Sequence, residues 1–194
     1  MKYLFYDLEK ATSKNCGKIC EFGYVVTDEK FNVLERNNFI INPSIEDKDW
    51  DWYAVKNVLK RNKSEYINSP DFEYYYPKIE ELIESSDCVV GYSVTDDDAK
   101  TLIAECKRYG KSIISYDYID IKPLYKYLIK SKDPIGLERI LADLNVTVED
   151  KFHDAGADAY NTLLAFRAVL DKFKLSIEDL SDGKYGAKFR VRDI

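Results

Sequence analysis

Asp7 and Glu9, in the stretch FYDLEKAT, are separated by a single residue. On a β-strand, side chains two apart point to the same face, so the two carboxylates converge on one point. An isolated acid-x-acid pair is most often ordinary solvent-facing alternation. Here the flanking Leu4, Phe5, Tyr6 and Leu8 are apolar, which places the strand near the centre of a sheet. Two acids at the end of a buried strand repel each other and are costly to desolvate unless a cation sits between them. Oxygen-only ligands of that kind suit Mg²⁺ or Mn²⁺. A second acidic group, TDDDAK, joins a short apolar run to a helix. Capping and the helix dipole account for one or two of its three aspartates, and the third need not be a cap. The chain's single histidine, His153, lies in FHDAGADAY, five positions before Asp158. A lone histidine is more often a surface or satisfied core residue. Combined with a strand acid pair and a mid-chain aspartate it becomes a much more specific signal, provided that loop and helix bend together so that His153 and Asp158 meet.

These groups need elements to hold them. KYLFYDLE reads as a strand, with no helix cap and a predominance of apolar and aromatic residues. KICEFGYVVTD (18–28) and VLERNNFIINP (33–43) read as two more strands, joined by EKFN into an antiparallel meander. Residues 47–69 look helical in pieces, and PDFEYYYPKIEELIESS (70–86) carries its apolar residues at amphipathic helical spacing. DCVVGYSV is a short buried strand, and DDDAKTLIAECKRYG a helix with acids in its first turn and Gly110 at its end. SIISYDYIDI reads as another strand, with GLERILADLNV and ADAYNTLLAFRAVLDKF as closing helices. Strands first and then strands alternating with helices predict an α/β fold, a mixed sheet flanked by helices.

With 194 residues, 45% of them apolar, the chain is long enough to bury a core and is expected to form one domain. The start reaches Asp7 after four uncharged residues, and no apolar run approaches membrane-spanning length, so a soluble, cytoplasmic protein without membrane contact is expected. Cys16, Cys20, Cys88 and Cys106 are few for the length and lack CxxC spacing, so reduced thiols are the expectation. The net charge of −6 argues against a long basic track for nucleic acid. Basic residues concentrate in KRNK (60–63), expected to be solvated surface, and in a tail where Lys184, Lys188, Arg190 and Arg192 cluster.

FYDLEKAT, GYSVTDDDAKTL and HDAGADA, in that order from about Lys2 to Leu170, resemble the three motifs of the DEDD superfamily of 3′-5′ exonucleases. Within it they are similar to the DEDDh branch, which includes RNase T, polymerase proofreading subunits and oligoribonuclease. ICEFGYVV, INP and IGLERILADLNV are supporting echoes. The resemblance implies a ribonuclease-H-like fold with a mixed five-stranded sheet, an exonuclease domain over residues 1–175 and a basic tail over 176–194. It implies two Mg²⁺ (or Mn²⁺) ions: Asp7, Glu9 and Asp158 on the more tightly held one, Asp7 bridging to the second, and the mid-chain aspartate supporting that second ion. His153 would be the general base that takes a proton from the attacking water.

Two departures from the family pattern bear on this assignment. Counting four residues from Ser93, as relatives do, selects Asp97 as the mid-chain acid. Helix register selects Asp98, because Ala99, Leu102 and Cys106 then form a single face that packs on the sheet. A loop absorbs an extra residue more easily than a packed helix absorbs a rotation of roughly 100°, so Asp98 is preferred and Asp97 is the alternate. The second departure is Lys10, where many relatives carry Thr or Ser lining the terminal-nucleotide pocket. Leu8 and Lys10 are the candidate substrate contacts. The expected partners are 3′ ends of single-stranded RNA or DNA, or short oligonucleotides, since an enzyme reading only the last few nucleotides contacts few phosphates. An oligomer is compatible with the sequence. The rival expectation is a catalytically silent module of the same fold that binds nucleic-acid ends or a protein partner, although a pure binder has no need of a general base.

Overall fold

The computed structural model describes residues 1–94, 97–148, 152–181, 185–186 and 188–191. Six strands form one sheet: β1 (Lys2–Thr12), β2 (Lys18–Asp28), β3 (Val33–Ile40), β4 (Cys88–Gly91), β5 (Asp117–Asp120) and β6 (Lys188–Arg190), in the spatial order β3-β2-β1-β4-β5-β6. The β1–β2 and β2–β3 pairs are antiparallel, as the meander required. Strands β4 and β5 run parallel to β1. These five make the mixed sheet that was expected, and β6, from the basic tail, extends it by pairing antiparallel with β5.

Strand alternation decides what each face of β1 does. Leu4, Tyr6 and Leu8 enter one core with helices α2 (Phe72–Glu84) and α3 (Asp98–Arg108). Tyr3 and Phe5 enter the other, with α4 (Ile121–Leu128), α5 (Leu137–Asp143) and α6 (Ala155–Phe173). By the same two-residue period, Asp7 and Glu9 continue the second face, toward the N-terminus of α6. A third small cluster, Ala11, Cys20, Leu59 and Tyr66, seats residues 50–67, including α1 (Lys63–Ile67), over the far end of β1 and β2.

Several sequence expectations change in detail. The strand expected over SIISYDYIDI is four residues long, because Asp120 caps a helix by accepting from the Lys122 amide, and the chain turns into α4 at Ile121. That helix was not expected. Nor was α7 (Ile177–Ser181), which places Leu180 in the α6-side core. The KRNK run is not simply solvated surface: Arg61 reaches Glu21, whose side chain is 0% exposed. In the tail, Lys188 and Arg190 pair with Asp117, while Lys184 and Arg192 lie outside the described residues. No helix among the described residues is long and apolar enough to cross a membrane.

Candidate active site

The acid pair sits at the C-terminal half of β1, with Asp7 opposite Gly23 and Glu9 opposite Glu21 across the β2 ladder. Glu9 is 8% exposed. Asp158 comes from the first turn of α6, also 8% exposed, and His153 from the loop just before it. The bend that brings histidine and aspartate together is at His153 itself, held at φ 67°, in the left-handed region that a side chain occupies at a cost of about 1 kcal/mol or more. Its backbone amide donates to Asp158 Oδ2 at 2.8 Å, tying loop to helix. Asn161, one turn on, donates to the other Asp158 oxygen at 3.4 Å. As a result, Glu9, His153 and Asp158 each offer a ligand atom, all within 4.8 Å of one another.

Asp7 lines the same open cleft as His153 and Asp158, a hollow of about 370 Å³ whose walls include Tyr92, Leu137 and Phe152. Asp98 arrives from the opposite layer, at the start of α3. It is 5% exposed, and the helix face behind it, Ala99, Leu102 and Cys106, is buried at 0–2%. Asp97 points outward and is ion-paired with Lys10. The Lys10 stem runs over Gly17, where an added Cβ would stand 2.5 Å from Lys10 Cδ. Leu8, expected as a substrate contact, turns its side chain to the other face of β1 and packs in the α2/α3 core at 5% exposure.

The electrostatics of this cluster are those of carboxylates lacking a counter-charge. Burial, then the charge of Asp158, pushes the Glu9 carboxyl up to about 8, with the Lys10 ammonium acting the other way. Burial and the charges of Asp98, Glu9 and Asp158, in that order, push Asp7 well above the usual carboxylate range. Asp98 is pushed up by burial and by Asp97, and Asp158 by burial, partly offset by the bonds it accepts from His153 and Asn161. Buried acids whose carboxyls are all raised fit a hard divalent cation, since binding one favours their ionised forms. The cluster of acidic and histidine side chains is therefore able to hold a metal ion.

Three residues that motif reasoning passed over sit beside this cluster. Glu21 accepts from Arg61 and Tyr66, and Arg61 donates in turn to Asp154, the residue after His153. The signal for Glu21 was available as a charge in the otherwise apolar strand KICEFGYVV.

Comparison with known proteins agrees with this arrangement. No curated protein matches the chain by sequence. Among solved structures, the nuclease domain of 3′hExo, described as a DEDDh family member bound to rAMP, superposes with a TM-score of 0.72 at 15% identity, covering 90% of this chain and 94% of that one. Exonuclease X, in complex with 5′ overhanging duplex DNA, gives 0.66 at 13% identity, covering 93% and 97%. Escherichia coli Exonuclease I, in complex with an oligonucleotide, gives 0.69 at 18% identity, covering 88% of this chain and 41% of that one. These likenesses show a shared fold. The exonuclease family model of the RNase T type matches residues 4–166, most of the chain and all three acidic motifs, so the protein belongs to the RNase T-like exonucleases.

Proposed function

We propose that the chain is a metal-dependent 3′-5′ exonuclease that hydrolyses phosphodiester bonds at the 3′ end of single-stranded nucleic acid or short oligonucleotides. The observation that carries this reading is the convergence of Glu9, His153 and Asp158 to within 4.8 Å beside a cleft that Asp7 also lines. Asp7, Glu9, Asp98 and Asp158 would hold two Mg²⁺ (or Mn²⁺) ions. When bound, such ions neutralise the carboxylates and stabilise charge on the attacking and leaving oxygens of an in-line displacement.

The protein's own groups supply the rest. His153 accepts a proton from the attacking water, a general-base role that an imidazole within reach of the cleft can serve. Its position is fixed by the bond from its amide to Asp158, so the base and an acid of the metal site move as one unit. Tyr92, Leu137 and Phe152 give the cleft an apolar wall against which a terminal base can lie. Lys10, ion-paired with Asp97, would be a candidate contact for the terminal nucleotide if it exchanged that partner for a phosphate. Both RNA and DNA fit this reading, since relatives of the fold include one bound to rAMP and one bound to duplex DNA.

The test is a time course on 5′-labelled single-stranded RNA and DNA with Mg²⁺, Mn²⁺ or chelator, comparing wild type with His153→Ala and Asp7→Ala. A metal-dependent ladder shortening from the 3′ end, lost in both variants, is expected. Intact label under every condition, or cleavage that both variants retain, would overturn the reading.

A further inference from the structure

Arg61 is half-buried, with its guanidinium turned toward acids. One of its nitrogens, NH1, donates to Glu21 Oε1 at 2.8 Å and to Asp154 Oδ2 at 2.9 Å. Asp154 is the N-cap of α6, accepting from the Ala157 amide at 3.1 Å, and it directly follows His153. Glu21 closes the other side of the same corner: its Oε2 accepts from Asn38 at 2.7 Å and from the Ala155 amide at 3.3 Å. Glu21 also lies directly across the ladder from Glu9. The guanidinium thus joins the β2 strand floor to the turn that presents His153, beside two neutral links: Asn38, which also donates to Asp154 at 3.2 Å, and the Ala155 amide on Glu21.

We infer that Arg61 is a positioning residue for His153, and that the Arg61–Glu21–Asp154 bridge holds the base in its left-handed turn against Asp158. The inference rests on the exonuclease reading for its consequence in turnover, but the geometry it asserts stands independently of activity. Two arguments support it. First, a 0% exposed carboxylate such as Glu21 is retained only with its charge paired, and breaking such a pair leaves an uncompensated buried charge. Second, the two acids that Arg61 joins come from elements 133 positions apart in sequence, at Glu21 and Asp154; Asn38 and the Ala155 amide also link them, but these are neutral donors, and Arg61 supplies the positive charge that offsets their mutual repulsion. A base displaced by about 1 Å loses on the order of a hundredfold in rate.

Both contacts come from one nitrogen, so this is not the two-pronged grip that only a guanidinium can make. An ammonium of suitable reach can serve the same two oxygens. Arg61→Lys is therefore expected to recover most of what Arg61→Met loses, with Lys60→Met, in the same basic run but fully outside the bridge, behaving as wild type.

The experiment uses the full chain and has two readouts. Because His153 is the only histidine, its Cε1–H gives a single imidazole NMR resonance to follow, with no assignment among histidines needed. In Arg61→Met that resonance is expected to shift and broaden, and kcat to fall about ten- to a hundredfold with KM within about twofold; Arg61→Lys restores both toward wild type. An imidazole resonance identical in Arg61→Met and wild type, in folded protein, would overturn the inference, as would a loss in Arg61→Met that Arg61→Lys leaves uncorrected. If Arg61→Met fails to fold, Glu21→Gln takes its place: a shifted and broadened imidazole resonance is expected, and one identical to wild type in folded protein would overturn the inference. Should the wild type itself show no nuclease activity, the functional reading fails while the resonance still tests the bridge.

Discussion

At the scale of single residues, the mid-chain acids give the sharpest contrast. Asp98 is buried and its charge bears on Asp7 more strongly than that of Glu9 or Asp158. Asp97, one residue earlier, is exposed and engaged with Lys10. On the proposed reading, the first shares a cation with Asp7 and the second does not. Asp98→Asn is therefore expected to reduce activity about a thousandfold or more, and Asp97→Asn less than about tenfold, in the range of a group that acts on the site only through Lys10. Equal losses in the two variants, measured as kcat/KM on a short labelled strand, would contradict this assignment. The sequence already favoured Asp98, because the apolar face of the following helix fixes its rotation. It could not disclose Arg61. In KRNK, four polar residues in a row carry no trace of a buried partner, since that partner, Glu21, is forty positions away and the contact exists only once residues 50–67 lie over the end of β2.

At the scale of elements, the site depends on how closely α6 approaches β2. Gly23, opposite Asp7, has no room for a side chain: an added Cβ would stand 1.9 Å from the Ala155 carbonyl carbon and 2.1 Å from the Gly156 amide nitrogen. Those atoms are backbone, so relief requires the start of the helix to move, and His153 and Asp158 with it. Gly23→Ala is expected to cost about 1–3 kcal/mol of stability and to lower kcat at least about tenfold, seen as a reduced Tm and a slower ladder on the same protein. A variant with wild-type turnover would show that the corner tolerates displacement. The pattern of strands and helices was readable wherever a periodic apolar face ran long enough, as in β1, α2, α3 and α6. It failed at α4, where Ile121, Leu124 and Tyr125 supply a buried face but follow the strand without a break. Apolar residues that pass from strand to helix with no loop between them leave the boundary ambiguous, and here the Asp120 side chain, capping the Lys122 amide, decides where one ends. The tail strand β6 was illegible for another reason: three residues pairing with β5 across more than sixty positions leave no local signature.

At the scale of the whole molecule, the acidic site works against the stability of the metal-free fold, and pH reveals it. Asp7, Glu9, Asp98 and Asp158 all have carboxyls raised above their ordinary values, Glu9 to about 8. In the unfolded chain these groups ionise near pH 4 to 4.5, whereas in the fold they hold their protons to higher pH. A folded state that binds more protons than the unfolded one has stability that is fully present below the unfolded values and is lost as pH rises through the folded ones. The metal-free protein should therefore lose Tm between about pH 5 and pH 9, in the direction that the net charge of −6 also pushes. Divalent cations reverse the site's contribution by favouring the ionised carboxylates, so the Tm increase caused by Mg²⁺ or Mn²⁺ should widen steadily over that range. General repulsion and the specific site are separable: NaCl at matched ionic strength screens the first and leaves the second. Glu9→Gln removes one of the raised carboxyls, and its metal-free Tm should exceed that of the wild type at pH 8 by several degrees, corresponding to about 1–3 kcal/mol, with no difference at pH 4.5. A Tm gain from divalent cations that is equal at pH 5 and pH 9, or that NaCl reproduces, would mean that the four acids do not share a cation, and the proposed chemistry would lose its physical basis.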